Sequence, residues 1–391
     1  MTPTVDRIEE RSFVGQGSLL AVIGLMPLSA FFVFYVISAN LTADGFDVFS
    51  GLFTLSLAIS AISDFGLRAE LYARISKATD PSQRSALVRA GWKKKLKYSA
   101  IALVVSVVFL RDAPLAHYLI VLSGIVFFPG DVFLHALRGM RKSMYELLLF
   151  LLDRGVVLLT IYTLQIDSLL VIGALLLVVP SIRMVFGGLI VHRLMRGIDP
   201  SEASHIGFDR FSGIEVASQL IYLRWIVLAL PFLGMQDYSG ELLVSVSVAQ
   251  ATFVMAMFLA NRRVVFGGLG SRLIDMTLIV LVCSVYAVLC YWLDVLSFFN
   301  LDEPTMYVLI ALTPLFCVIQ YTRYVFEAGS RAKISLEGLV IGFPFGVLFL
   351  VYFPMQDYFS QNVDVIKLII ALALGELVSI GYMIWRSSVS D

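Results

Sequence analysis

Long apolar runs alternate with short polar links along the whole chain. A helix that crosses a bilayer needs about 20 mostly apolar residues. Runs of that kind fall at 14–39, 47–67, 97–111, 114–137, 144–165, 167–192, 211–234, 241–261, 271–293, 304–326, 334–354 and 364–385, twelve in all. The third is the weakest. Its apolar part begins at Tyr98 and is short, and Lys93, Lys94, Lys95 and Lys97 can snorkel to extend it. The links leave no room for a soluble domain, and the pattern predicts an all-α polytopic membrane protein. Pro27, Pro129, Pro180, Pro231, Pro314 and Pro344 fall inside the runs, where proline bends a helix and is ordinary in membrane segments.

Composition agrees. Hydrophobic residues make up 59% of the chain and charged ones 15%, with a mean hydropathy of +0.88. Soluble domains sit nearer 45–50% apolar and about 25% charged. A soluble enzyme, a nucleic-acid binder and a disordered segment are therefore excluded. The leader before the first run carries Asp6, Glu9 and Glu10, and the run is too long for the core of a cleaved signal peptide.

The net charge is zero, from 29 basic and 29 acidic residues, but the charges are sorted. The basic residues cluster at the amino terminus and in the links after the second, fourth, sixth, eighth and tenth runs. The link after the second run holds Arg68, Arg74, Lys77, Arg84, Arg89 and the lysines of 93–97. The opposite links hold Arg111 and Lys367, and otherwise acids such as Asp44, Asp237, Asp302 and Asp357. The positive-inside rule then places both termini and every even-numbered exit in the cytoplasm. Basic residues with helical spacing between Asp80 and Lys97 read as an amphipathic helix on the anionic membrane surface.

The polar link 193–210 divides the twelve runs into six and six, giving lobes 1–197 and 198–391. Both begin on the same side, so they are expected to be parallel repeats forming two pseudo-symmetric six-helix bundles. Gly17 and Gly45 recur as Gly213 and Gly240. Such an architecture suits a transporter.

Three cations, Arg154, Arg183 and Arg224, lie within runs and are not explained by orientation. A charge in the hydrocarbon core costs at least ~2.5–3.5 kcal/mol, so it faces a cavity or a partner. Arg154 sits about 15 Å into its run and Arg224 about 20 Å into its own. Asp153 precedes Arg154 and points elsewhere on the helix. Asp64 and Arg68, four apart near the end of the second run, fit an ion pair; Asp131 and His135 share a face; Glu376 lies near mid-depth. The acids Asp64, Asp131, Asp153 and Glu376 are candidates for ion pairs or for ion coupling. The arginines are candidates for binding an anion, because guanidinium offers forked donation and stays charged.

Other chemistry is missing from the pattern. Cys283, Cys290 and Cys317 read as small apolar residues, and the four histidines have no metal spacing. No phosphate-cradling ATPase loop is present, and no outer link is long enough for the acceptor site of a glycan polymerase or ligase. The expectation is a non-enzyme without metal or cofactor.

Short motifs resemble a known family. Gly45-Phe46 follows the first run, and Asp64-Phe65-Gly66-Leu67 with Arg68 closes the second. Leu137-Arg138-Gly139 leaves the fourth, and Asp237-Tyr238-Ser239-Gly240 follows the seventh. These are similar to the polysaccharide transporters, the lipid-linked O-antigen repeat-unit flippases of the multidrug/oligosaccharidyl-lipid/polysaccharide (MOP) exporter superfamily. The chain is short for that family, and the pattern after the seventh run is altered. The resemblance implies a V-shaped pair of lobes around a cationic cavity. The cavity would hold the diphosphate of a polyprenyl-linked sugar while it crosses from the inner to the outer leaflet of a bacterial cytoplasmic membrane. By position, Arg154 and Arg224, then Arg183 and Arg68, would line that path. Expected partners are the lipid-linked glycan, membrane lipids, and a polysaccharide polymerase with its assembly proteins, around a monomeric transporter. The rival on the same fold is a cation-coupled drug or metabolite exporter with an acid-dominated cavity. A major-facilitator transporter also has twelve spans, but Asp64 to Arg74 lacks its motif. A polymerase or ligase and a non-transporting scaffold are the rivals from other classes.

Overall fold

The computed structural model describes residues 21–22, 25, 29, 32–64, 67–198, 256, 259–260, 272–292, 311–319, 321–323, 332–352 and 363–390. The chain divides into two compact units, Met1–Ala217 and Ser218–Asp391. In the first unit the helices are α1 (Ala43–Asp64), α2 (Leu67–Lys77), α3 (Pro81–Phe109), α4 (Leu115–Gly139), α5 (Ser143–Leu164) and α6 (Leu169–Leu194). In the second they are α7 (Arg272–Trp292), α8 (Ala332–Tyr352) and α9 (Val363–Ser390), with further helical residues at 311–319 and 321–323. No strand occurs among the described residues. Among them, α4, α5, α6 and Ile369–Ser388 of α9 are long and apolar enough to cross a membrane. The expected span at 211–234 lies outside the described residues, as does nearly all of 241–261.

α3 departs from the expectation. The sequence suggested a basic surface helix followed by a separate short span; the two form one helix of 29 residues. Asp80 caps it by accepting from the Ser82 amide at 3.0 Å and from the Ser82 hydroxyl. Those bonds, the hydroxyl's first, hold the Asp80 carboxyl below its ordinary range. Pro81 follows, where its missing N–H costs nothing. The helix then meets no breaker until Phe109, and Gly91 lets it lie close on Leu71 of α2. Lys95, expected to snorkel, is instead fully buried.

α4 is the centre of the first unit; α1, α2, α3 and α6 all pack on it. Close approach needs small residues where helices cross in an apolar medium. A Cβ at Gly124 would stand 1.9 Å from the Ser56 hydroxyl of α1. At Gly139 it would stand 2.8 Å from Ile75 of α2. Leu67, Leu71, Leu87, Val132, Leu137 and Val191 fill the core between these helices.

α5 explains why a chain this apolar still sorts its residues. Ser143, Glu146, Leu149, Phe150, Asp153, Val157 and Ile161 form its buried stripe. Leu148, Leu152, Val156 and Leu159 form its exposed one. The polar groups point inward and the outer face is apolar, as lipid requires.

In the second unit α8 and α9 form an antiparallel pair. Gly338, Gly342 and Gly346 of α8 lie against Ser379, Gly375 and Ala371 of α9. Both stripes repeat every four residues, so small residues meet along two helical turns. α7 packs with Ala256, Leu259, Cys317 and Tyr321.

Candidate functional site: buried charge clusters

α4 and α5 leave their joining turn antiparallel, with Arg141 in the left-handed conformation at φ 67°. Each helix carries two ionised side chains seven residues apart, two turns along one face: Arg138 and Asp131 on α4, Glu146 and Asp153 on α5. The pairing follows from that register. Next to the turn, Arg138 Nε donates to Glu146 Oε2 at 3.1 Å, and Arg138 Nη2 also bonds Glu146 Oε1. The Arg138 guanidinium lies 5.9 Å from the Tyr72 ring centre.

Two turns deeper, Asp131 and Asp153 would face each other as like charges. Arg183 of α6 reaches both. Its Nη1 is 2.9 Å from Asp153 Oδ2, and its Nη2 donates to Asp131 Oδ1 at 3.3 Å. Arg183 is 1% exposed. Three membrane helices are thus tied at one level by one guanidinium. Arg154 is half-buried beside this triad, close enough that Asp153, Arg183 and Asp131 all act on its charge. With Arg154 the cluster holds two cations and two anions.

The second unit has its own pair. Arg323 Nη2 donates to Glu376 Oε2 at 2.6 Å and to Ser379 Oγ at 2.8 Å. Both charged side chains are fully buried. Among the described residues, Arg323 Nε, Arg323 Nη1 and Glu376 Oε1 find no hydrogen-bond partner. One helical turn beyond Ser379, the Tyr382 hydroxyl donates to Glu337 at 2.8 Å.

The expected site residues therefore separate. Arg183, Asp131 and Asp153 come together as an ion-paired triad, with Arg154 at its edge. Glu376 pairs with Arg323. Arg224 lies outside the described residues, as do the side chains of Asp64 and Arg68. Arg138 and Arg323 were counted with the cytoplasmic links and are instead buried in ion pairs. For Arg323 a signal existed: it falls inside the apolar run 304–326. For Arg138 the signal was Glu146, eight residues on across a glycine turn. Among the described residues, no group of histidine, cysteine and acidic side chains could hold a metal ion. Cys283 and Cys317 are buried thiols.

No protein-family profile and no curated protein matches the chain. Solved structures do. A MOP-superfamily transporter from Pyrococcus furiosus Vc1 (DSM3638), whose binding-pocket polarity is reversed, aligns with a TM-score of 0.60 at 15% identity. The match covers 96% of this chain and 95% of that one. The chain has the MOP transporter fold. An inward-facing multidrug-resistance MATE family transporter aligns with a TM-score of 0.59 at 13% identity, over 95% and 98% of the two chains. An outward-facing one gives 0.56 at 15% identity, over 96% and 95%. The MOP likeness runs through nearly the whole chain, and the matched proteins are transporters. This chain accordingly shares the fold of those transporters and, among the described residues, has four helices long and apolar enough to cross a membrane.

Proposed function

We propose that this MOP-fold protein is a flippase that moves polyprenyl-diphosphate-linked oligosaccharide from the inner to the outer leaflet of a bacterial cytoplasmic membrane. Its two six-helix lobes would be 1–197 and 198–391, with twelve spans and both termini cytoplasmic. The observation that carries the reading is Arg154. Asp131 and Asp153 face the Arg183 guanidinium. Arg154 adds a second, half-buried guanidinium beside them, a group from which an anionic substrate could draw attraction. Arg224 and Arg68 would extend the cationic path. The motifs at Gly45-Phe46, Asp64–Arg68 and Leu137–Gly139 support a glycan-lipid cargo over other MOP cargoes. The glycan polymerase and its assembly proteins would receive the product; the transporter would act as a monomer.

A second reading has its own support. Asp131, Asp153 and Glu376 are carboxylates buried in apolar helices, which a cation-coupled small-molecule exporter would use. One experiment separates the two. In proteoliposomes of the purified chain, a polyprenyl-diphosphate oligosaccharide should become accessible to an external lectin without a cation gradient, and a cationic dye should not be extruded. Dye extrusion driven by a proton or sodium gradient, with no lectin-accessible product, rejects the flippase.

A further inference from the structure

α3 and α6 both pack on α4. Between them, over α4, lies a cavity of about 210 Å3. α3 contributes Ser85, Val88, Arg89 and Trp92; α6 contributes Gly188, Val191 and His192, and its C-cap contributes Met195. Both sets follow the i, i+3, i+4, i+7 spacing, so each helix turns one continuous stripe to the cavity. Phe133 of α4 makes the floor, with its ring centre 4.7 Å from that of Trp92. Gly188 gives the ring room: a Cβ there would stand 3.3 Å from its edge.

The cavity is amphipathic. Val88, Trp92, Phe133, Val191 and Met195 line it with apolar surface, while Arg89, His192 and Arg196 bring cationic or hydrogen-bonding groups to it. None of its lining residues is acidic. Arg89 and Arg196 are exposed and have no ion pair among the described residues. The place fits the chemistry. α6 ends at Leu194, where its apolar run stops, and the apolar half of α3 begins beyond Lys97. On the orientation proposed above, this is the cytoplasmic headgroup level, where tryptophan and basic residues gather and anionic lipid resides.

We propose that this cavity binds an anionic membrane phospholipid, with its phosphate between Arg89 and Arg196 and its glycerol and upper acyl chain against Trp92 and Phe133. A free phosphate would share the cations but gain nothing from the aromatic floor. The site is distinct from the triad around Arg183 and needs no assumption about the cargo.

The test uses the full chain purified in detergent and titrated with phosphatidylglycerol, phosphatidylcholine or inorganic phosphate, with bound lipid read by native mass spectrometry. Phosphatidylglycerol should be retained over phosphatidylcholine. The double variant Arg89→Ala/Arg196→Ala should hold it on the order of tenfold more weakly, and Arg89→Lys/Arg196→Lys should hold it nearly as well as the parent. Equal retention of phosphatidylcholine, unchanged retention by the alanine variant, or displacement of the lipid by millimolar phosphate overturns the proposal. A second readout does not depend on those variants folding. Brominated phosphatidylglycerol should quench tryptophan fluorescence more than brominated phosphatidylcholine, and Trp92→Phe should abolish that difference. An undiminished difference in Trp92→Phe also overturns it.

Discussion

At the scale of single residues, the buried arginines Arg138, Arg183 and Arg323 each meet an opposite charge. Arg183 illustrates the asymmetry. Removing one member of a buried ion pair leaves the other uncompensated, at ~3–5 kcal/mol, whereas replacing the whole set by apolar or neutral groups is often tolerated. Arg183→Leu should therefore lower the unfolding temperature in detergent steeply, because Asp131 and Asp153 are then left facing each other. Adding Asp131→Asn and Asp153→Asn to it should recover most of the loss. An Arg183→Leu protein that melts with the parent would show that the triad contributes nothing. The pair in the second unit should behave alike: Glu376→Leu alone should destabilise more than Glu376→Leu combined with Arg323→Met, in the same melting assay. Depth along a run singled out Arg183 and Glu376, which the structure buries, and Arg154, which it half-buries. Pairing was not legible. Arg183 and Asp131 are 52 residues apart, and Arg323 and Glu376 are 53 apart. Local spacing links a residue to neighbours one turn away and carries no information on which helix lies alongside.

At the scale of elements, helix limits were readable because apolar runs end sharply. The expected 144–165, 167–192 and 271–293 correspond to α5 (Ser143–Leu164), α6 (Leu169–Leu194) and α7 (Arg272–Trp292) within two residues at each end. α3 was missed because hydropathy sees the cost of lysine in lipid, while helix continuity depends on caps and breakers, and Asp80-Pro81 supplies one cap for all 29 residues. What hydropathy leaves out most is the closeness of approach between helices. Gly342 is the clearest instance: its added Cβ would stand 2.1 Å from the Gly375 carbonyl oxygen, where backbone rather than a flexible side chain must give way. Gly342→Ala should push α8 and α9 apart and cost ~1–3 kcal/mol, as overpacking does. Gly381→Ala is the control on α9, since nothing lies within 4 Å of its added Cβ. There alanine's better helix propensity should hold or raise stability by ~0.5–1 kcal/mol. Thermal unfolding of both variants in one detergent checks the pair of signs; equal effects at the two glycines would refute the packing account.

At the scale of the whole molecule, one fold can serve more than one function, so function has to be argued from charge. In the first unit the cluster around Arg183 sets two cations, Arg154 and Arg183, against two anions, Asp131 and Asp153, and that balance constrains what a variant can mean. Arg154→Ala leaves the cluster one negative charge in excess beside the triad, so it should repel a diphosphate as well as fail to attract it. Arg154→Lys restores the sum but not the forked geometry. If the cargo is a lipid diphosphate, complementation of a strain lacking its own flippase should fall strongly for Arg154→Ala and for Arg224→Ala, with partial rescue by lysine at each position. Protein levels measured in the same membranes separate lost transport from lost folding. If the cargo is instead a cation exchanged for protons, the excess negative charge left by Arg154→Ala should not impair uptake of that cargo, and Glu376→Gln should be the damaging change. Normal surface-glycan display from both alanine variants at normal abundance would remove the arginines from the transport path. The buried clusters would then be left as the struts that hold three helices together in an apolar medium.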